Sequence, residues 1–242
     1  MTHLILASGS PRRHELLARL LTGFAILTSP VEEAGSTLMP EWHAEPVELP
    51  PPYLIREEHD PRLWAWRKAM DVFSTNTIPA NTLILGADTV VVGPAELLGK
   101  PKDTAHAQAI LQTLRGIEHY VVTGFVLLRA RGNHTAETIQ QGATITRVVM
   151  GDYSDADIEA YIVTGEPMDK AGAYALQGLG GKLVERVEGC RTNVVGLPLC
   201  AIRRALEAGG AELLAVPEGG YCGYCPIEEL LRQKSSAQSR SV

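Results

Sequence analysis

Asp88 is the first residue that calls for a chemical explanation. It lies in the apolar run Leu83-Ile84-Leu85-Gly86-Ala87-Asp88-Thr89-Val90-Val91-Val92. A carboxylate there is costly unless it is paired, bound to metal or turned to a cleft. Small Gly86 and Ala87 would leave room for a ligand to approach; the alternative is a hydrogen-bonded acid that ends the strand. A second candidate is Ser8-Gly9-Ser10-Pro11-Arg12-Arg13. Two hydroxyls and two guanidiniums at a helix start suit phosphate oxygens. Taken alone, the segment is more simply a Ser N-cap followed by solvated arginines. It is not a Walker loop, because G-x-x-x-x-G-K-[ST] is absent. Lys100 and Lys102 form an ordinary basic turn that becomes a source of point charge if a polyphosphate lies nearby. Gln177 precedes the glycines of Gln177-Gly178-Leu179-Gly180-Gly181, where its amide could both donate to and accept from a base edge. Alone, that stretch reads better as a tight turn.

The elements that must position these groups follow from periodicity. Leu4 to Ala7 reads as a buried strand, broken by residues 8–11, with helical spacing from His14 to Leu20. Strand, small-residue turn and helix open a parallel or mixed α/β fold. Phe24 to Thr28 suits a second strand. Residues 35–62 are rich in proline and acid and read as a loop or mobile insertion without regular structure. Further on, Leu63 to Val72 reads as a helix, Thr82 to Val92 as a strand and Thr104 to Leu114 as a helix. Tyr120 to Arg129 and Ala136 to Val149 read as a hairpin turning at Arg131-Gly132-Asn133. Asp155 to Val163 reads as a helix capped by Ser154. A turn at 178–181, a strand from Lys182 to Val187 and a helix from Pro198 to Glu207 complete the pattern. Residues 1–207 form the main domain. Residues 208–242 form a tail, disordered from 233 on the basis of its composition.

The chain has 242 residues and a net charge of −6, with 45% hydrophobic and 21% charged residues. This is an ordinary globular profile. The acidic balance argues against a nucleic-acid face, so an anionic substrate requires a local basic pocket. No stretch reaches the ~20 apolar residues of a membrane helix, and the N-terminus does not read as a signal peptide. The cytoplasm is the expected compartment, with the four cysteines as thiols.

Taken in order, the segments resemble the Maf family of nucleotide pyrophosphatases. The matching pieces are residues 4–13, Glu32-Glu33, 86–91, 99–103, the His119 to Gly124 run, 165–174, 177–181 and 193–199. A single piece would say little, whereas the ordered series is specific. The resemblance implies an elongated α/β fold with a mixed central sheet and a cleft between two lobes, similar to inosine triphosphate pyrophosphatases. It implies cleavage of nucleoside triphosphates between the α- and β-phosphates with a divalent cation, usually Mg²⁺ (Mn²⁺ in some settings), and a homodimer. Asp88 would activate water and share the metal with Glu33. Arg12, Arg13, Lys68 and Lys100 would neutralise the triphosphate, and Ser8 and Ser10 would orient it. Thr89 and Gln177 would help select the base. In this family a Gln at the position of Gln177 goes with dTTP and UTP, and an acid there with 7-methyl-GTP.

Two features depart from the pattern. The insertion separates the acidic pair from the helix that carries Lys68, whose neighbours include Trp64 and Trp66. The tail adds Cys222-Gly223-Tyr224-Cys225, which offers two metal ligands rather than four and lacks a preceding thioredoxin-like strand. A redox or metal role and no chemistry at all stand level for that pair. A slow-turnover nucleotide-binding regulator linked to cell division is the competing function. The acid beside the phosphate-binding groups favours catalysis.

Overall fold

The computed structural model describes residues 3–29, 45–132, 135–217 and 220–221. Six strands form one mixed sheet: β1 (Leu4–Ala7), β2 (Ala25–Leu27), β3 (Leu83–Val92), β4 (Glu118–Gly132), β5 (Thr135–Met150) and β6 (Val184–Glu188). The spatial order is β2-β1-β3-β4-β5-β6. β1 runs parallel to both β2 and β3, and the remaining pairings are antiparallel. Among the described residues the α-helices are α1 (Pro11–Leu17), α2 (Pro61–Thr75), α3 (Thr104–Leu114), α4 (Asp155–Val163), α5 (Arg191–Val195) and α6 (Leu199–Ala208). The fold is α/β, as the alternation of element types required.

Strand alternation sorts the core. Leu4, Leu6, Leu83, Leu85 and Ala87 point to the face covered by α1 and α6, where they meet Leu17, Ile202 and Leu206. Ile5, Ala7 and Ile84 point to the opposite face and pack against Ala65, Ala69 and Val72 of α2. A separate core around Leu111, Val148, Met150 and Ile158 lies under α3 and α4, toward the other end of the long strands. Two apolar centres thus sit along one sheet, and the cleft described below lies where they meet.

Several boundaries move for physical reasons. α1 starts at Pro11, because proline at the first helical position loses no needed N–H and presets φ, and it ends at Leu17 rather than Leu20. α2 starts at Pro61, with Asp60 as N-cap accepting from the Arg62 N–H at 2.8 Å. Residues 45–60 are mostly irregular, with one 3₁₀ turn at Glu57–His59. They are not loose, since Tyr53 and Ile55 are buried against Val92, Tyr120 and Val122. The glycine turn continues as a 3₁₀ segment, Leu179–Leu183, which delays β6 to Val184. α4 has the expected Ser154 cap, completed by Asp157 into a capping box. Short α5 escaped the periodicity. In the tail, Tyr221 is buried in the first core, and its hydroxyl accepts from Arg203 at 2.9 Å. Cys222, Cys225, Asn133 and residues 233–242 lie outside the described residues.

Candidate active site

β1 is much shorter than β3, and the site follows from that mismatch. β1 pairs with β3 only at Leu83, Ile84 and Leu85. Beyond Leu85, the β1-side edge of β3 is uncovered, and the chain after Ala7 turns away into α1. A cleft of about 610 Å³ opens in this space. Ser8, Ser10, Arg12 and Arg13 line it from the α1 side, and Lys68 from α2. Asp88 and Thr89 line it from β3, and Lys100 and Gln177 from the far lobe. Every sequence-selected site residue except Glu33 therefore shares one cavity. Glu33 lies outside the described residues.

Asp88 falls on the α2 face by strand alternation with Ile84 and Gly86. Its Oδ1 accepts from Lys68 Nζ at 2.6 Å. Its other oxygen meets no donor among the described residues. The Lys68 side chain is 9% exposed. Gly86 and Gly124 set this contact. A Cβ on Gly86 would lie 2.0 Å from the Ala65 carbonyl oxygen, and one on Gly124 would lie 2.3 Å from the Arg62 nitrogen. The helix backbone therefore rests directly on the bare strands, which brings Lys68 down to Asp88. The room at Gly86 belongs to α2, not to a ligand, and Ala87 faces the core. That corrects the expectation that these two small residues admit a substrate.

Arg13 is held from three sides. It donates from Nε to the Gly196 carbonyl at 3.0 Å, and to the hydroxyls of Ser8 at 3.3 Å and Thr89 at 3.1 Å. The Thr123 hydroxyl donates to the Asn193 carbonyl at 3.1 Å. The Thr89 hydroxyl must then donate to Thr123, 2.9 Å away. The Asn193 side chain is fully buried. It accepts from the Thr123 N–H and donates to the Val121 carbonyl and the Thr146 hydroxyl. A satisfied buried network of this kind is rigid. Sequence reasoning missed Asn193 and Thr123. For Thr123 the signal was a polar side chain between apolar neighbours, as for Asp88, whereas Asn193 follows Arg191 and Thr192 and carries no such signal.

Ser10 occupies the N-cap position of α1, yet its side chain makes no capping bond. α1 has only seven residues, so its dipole is small and the side chains dominate the local charge. Arg12 and Lys100 make no ion pair or hydrogen bond with the described residues. Arg12 does help Lys170 hold the Asp169 carboxyl below the usual carboxylate range, with the Lys170 contact at 2.5 Å as the main cause. Among the described residues, the cleft wall carries five cations, Arg12, Arg13, Lys68, Lys100 and Lys170, against Asp88 and Asp169. A chain of net charge −6 thus contains the local basic pocket that an anionic substrate requires. Behind Tyr174, on the cleft wall, His119 is fully buried and shares a 2.7 Å hydrogen bond with the tyrosine hydroxyl. Burial pushes the His119 pKa down to about 4.

A family model described as Maf-like protein matches residues 3–209. The chain belongs to the Maf-like family. Relatives named dTTP/UTP pyrophosphatase cover most of this Maf-like chain. The protein of Dictyoglomus turgidum is 39% identical over 87% of the chain and 98% of its own length. That of Alkaliphilus metalliredigens is 41% identical over 86% and 96%. That of Salinibacter ruber is 41% identical over 87% and 93%. Among the described residues, no three His, Cys, Asp or Glu side chains cluster to form a closed metal cage. Asp88, a hard carboxylate whose second oxygen has no donor among the described residues, suits an ion such as Mg²⁺, which takes most of its ligands from phosphate and water. Cys190 and Cys200 are buried. No helix among the described residues is long and apolar enough to cross a membrane.

Proposed function

We propose that this chain hydrolyses nucleoside triphosphates, dTTP and UTP foremost together with modified pyrimidine analogues, to the monophosphate and pyrophosphate. We further propose that it acts in the cytoplasm, as a homodimer, with a divalent cation. The observation that carries the reading is the shared cleft. In it the Asp88–Lys68 pair shares the wall with Arg12 and Lys100, two cations with no ion pair or hydrogen bond among the described residues. A binder of phosphate alone has no use for a carboxylate beside the anion.

Water attacks phosphorus while Asp88 accepts its proton, and the bridging P–O bond breaks with the electron pair leaving on pyrophosphate. Lys68 fixes the direction of the Asp88 carboxylate. Arg12, Arg13 and Lys100 take up the charge that develops on the leaving oxygens, and Ser8 and Ser10 orient the chain of phosphates. Asp88, with Glu33, would hold Mg²⁺, which supplies Lewis-acid neutralisation of the phosphate oxygens. Thr89, proposed from the sequence for base selection, instead braces the phosphate grip by accepting from Arg13, and Gln177 reads the pyrimidine edge with its amide. The relatives' names support the pyrimidine preference.

Pyrophosphate release over a panel of ribo- and deoxynucleoside triphosphates tests the reading. Turnover is expected with Mg²⁺, highest for dTTP and UTP, and lost on chelation. Silence across the whole panel would overturn it. Sedimentation equilibrium tests the dimer.

A further inference from the structure

Gln177 stands on a loop tied down on both sides by one pair of side chains. Before it, the Ala175 N–H donates to the Tyr161 hydroxyl at 3.2 Å. After it, the Leu179 N–H donates to Glu166 Oε2 and the Gly180 N–H to Glu166 Oε1, both at 3.1 Å. The Tyr161 hydroxyl in turn donates to Glu166 Oε1 at 3.0 Å, which closes the circuit. Gly178, between the tethers, has φ +89°, and a Cβ there would meet Glu166 Oε2 at 2.8 Å. The loop therefore wraps the carboxylate closely.

The clamp rests on regular structure. Tyr161 belongs to α4, and Glu166 opens the 3₁₀ turn Glu166–Asp169 that follows it. The Gln177 side chain is exposed and makes no hydrogen bond with the described residues. Its direction is set by the main chain that carries it. An amide that reads a base edge discriminates well only when its direction is fixed before the ligand arrives.

We propose that Glu166, bridged by Tyr161, is a positioning residue for nucleotide selectivity, which acts by fixing the main chain that presents Gln177 to the base. This rests on the reading that the chain hydrolyses triphosphates with Gln177 at the base. Glu166→Gln puts an amide NH₂ where an acceptor oxygen stood, so donor meets donor at one or more of the three contacts.

The test is steady-state kinetics with dTTP, UTP and dATP, with inorganic pyrophosphate inhibition as a separate measure of the phosphate grip. Glu166→Gln is expected to lower the kcat/KM ratio of the best pyrimidine over dATP by about five- to tenfold. The change should fall mainly on the pyrimidine KM, with pyrophosphate inhibition unmoved. Tyr161→Phe, which keeps the ring, should move the ratio the same way by less. In a Gln177→Ala background, Glu166→Gln should leave the ratio where it was, because the effect runs through Gln177. An unmoved ratio in folded Glu166→Gln would overturn the inference, as would an equal shift in the Gln177→Ala background. If Glu166→Gln does not fold, the Tyr161→Phe ratio decides alone. Wild-type turnover with an unmoved ratio sinks this inference only, whereas a wild-type protein that turns over no triphosphate sinks the functional reading with it.

Discussion

Replacing Gly86 by alanine adds one methyl group, yet the structure predicts a large effect on a residue that the methyl does not touch. The new Cβ would lie 2.0 Å from the Ala65 carbonyl oxygen and 3.1 Å from Ala69 Cβ. The first atom belongs to the helix main chain, so no change of rotamer relieves the overlap. To reach even 3.0 Å, α2 must withdraw by about 1 Å at that point. Lys68 lies one turn further along the same helix, so the movement opens its 2.6 Å contact with Asp88. Overpacking of this kind costs ~1–3 kcal/mol. For a chain of this size that lowers Tm by roughly 3–10 °C. Misplacing a catalytic group by ~1 Å costs on the order of 10²-fold in turnover. Thermal unfolding and pyrophosphate release on the same preparation provide both readings. A Gly86→Ala protein with wild-type Tm and wild-type kcat would refute the claim that bare strands seat α2 and thereby set the Lys68–Asp88 pair.

Asp88→Asn should fold normally, with unchanged circular dichroism, and lose at least about 10²-fold in kcat, the typical contribution of a general base; near-normal turnover would remove Asp88 from that role. Gln177→Glu should depress kcat/KM for dTTP and UTP relative to other triphosphates; equal relative rates over the panel would count against base reading by this residue. His119 titrates at about 4 when folded against an ordinary 6.5. The unfolded chain therefore binds the extra proton first, and stability should fall as pH drops from about 6.5 toward 4, by about 3 kcal/mol at most. His119→Gln should flatten that part of the urea-midpoint profile, and a profile parallel to wild type would show that another group is responsible.

Much of this architecture is legible in the sequence because local signals agree with the fold. Strand β3, helix α3 and the Ser154 cap each come from a short, strongly patterned stretch, and tertiary packing did not override them. The phosphate-side residues are equally visible, since Ser8, Ser10, Arg12 and Arg13 are near neighbours in the chain. What stays hidden depends on contacts far apart in sequence. The meaning of Gly86 requires α2 to lie on it. The role of Asn193 requires β4 and β5 on either side, and the Tyr161–Glu166 clamp requires a loop to fold back over a turn that looks unremarkable alone. Residues 45–60 are mostly irregular, as their composition leads one to expect, but their anchoring is hidden for a similar reason. Their prolines and acids obscure Tyr53 and Ile55, which fill a gap beside β4.

On the proposed reading, the stretch that would grip phosphate and the stretch that would face the base come from different parts of the chain. Residues 8–13 leave the short strand β1, while 166–181 hang from α4. Exchanging the second stretch would leave Asp88 on β3 and residues 8–13 in place. A scaffold divided in this way lets a lineage, or a protein engineer, change which nucleotide is destroyed without rebuilding the machinery that destroys it.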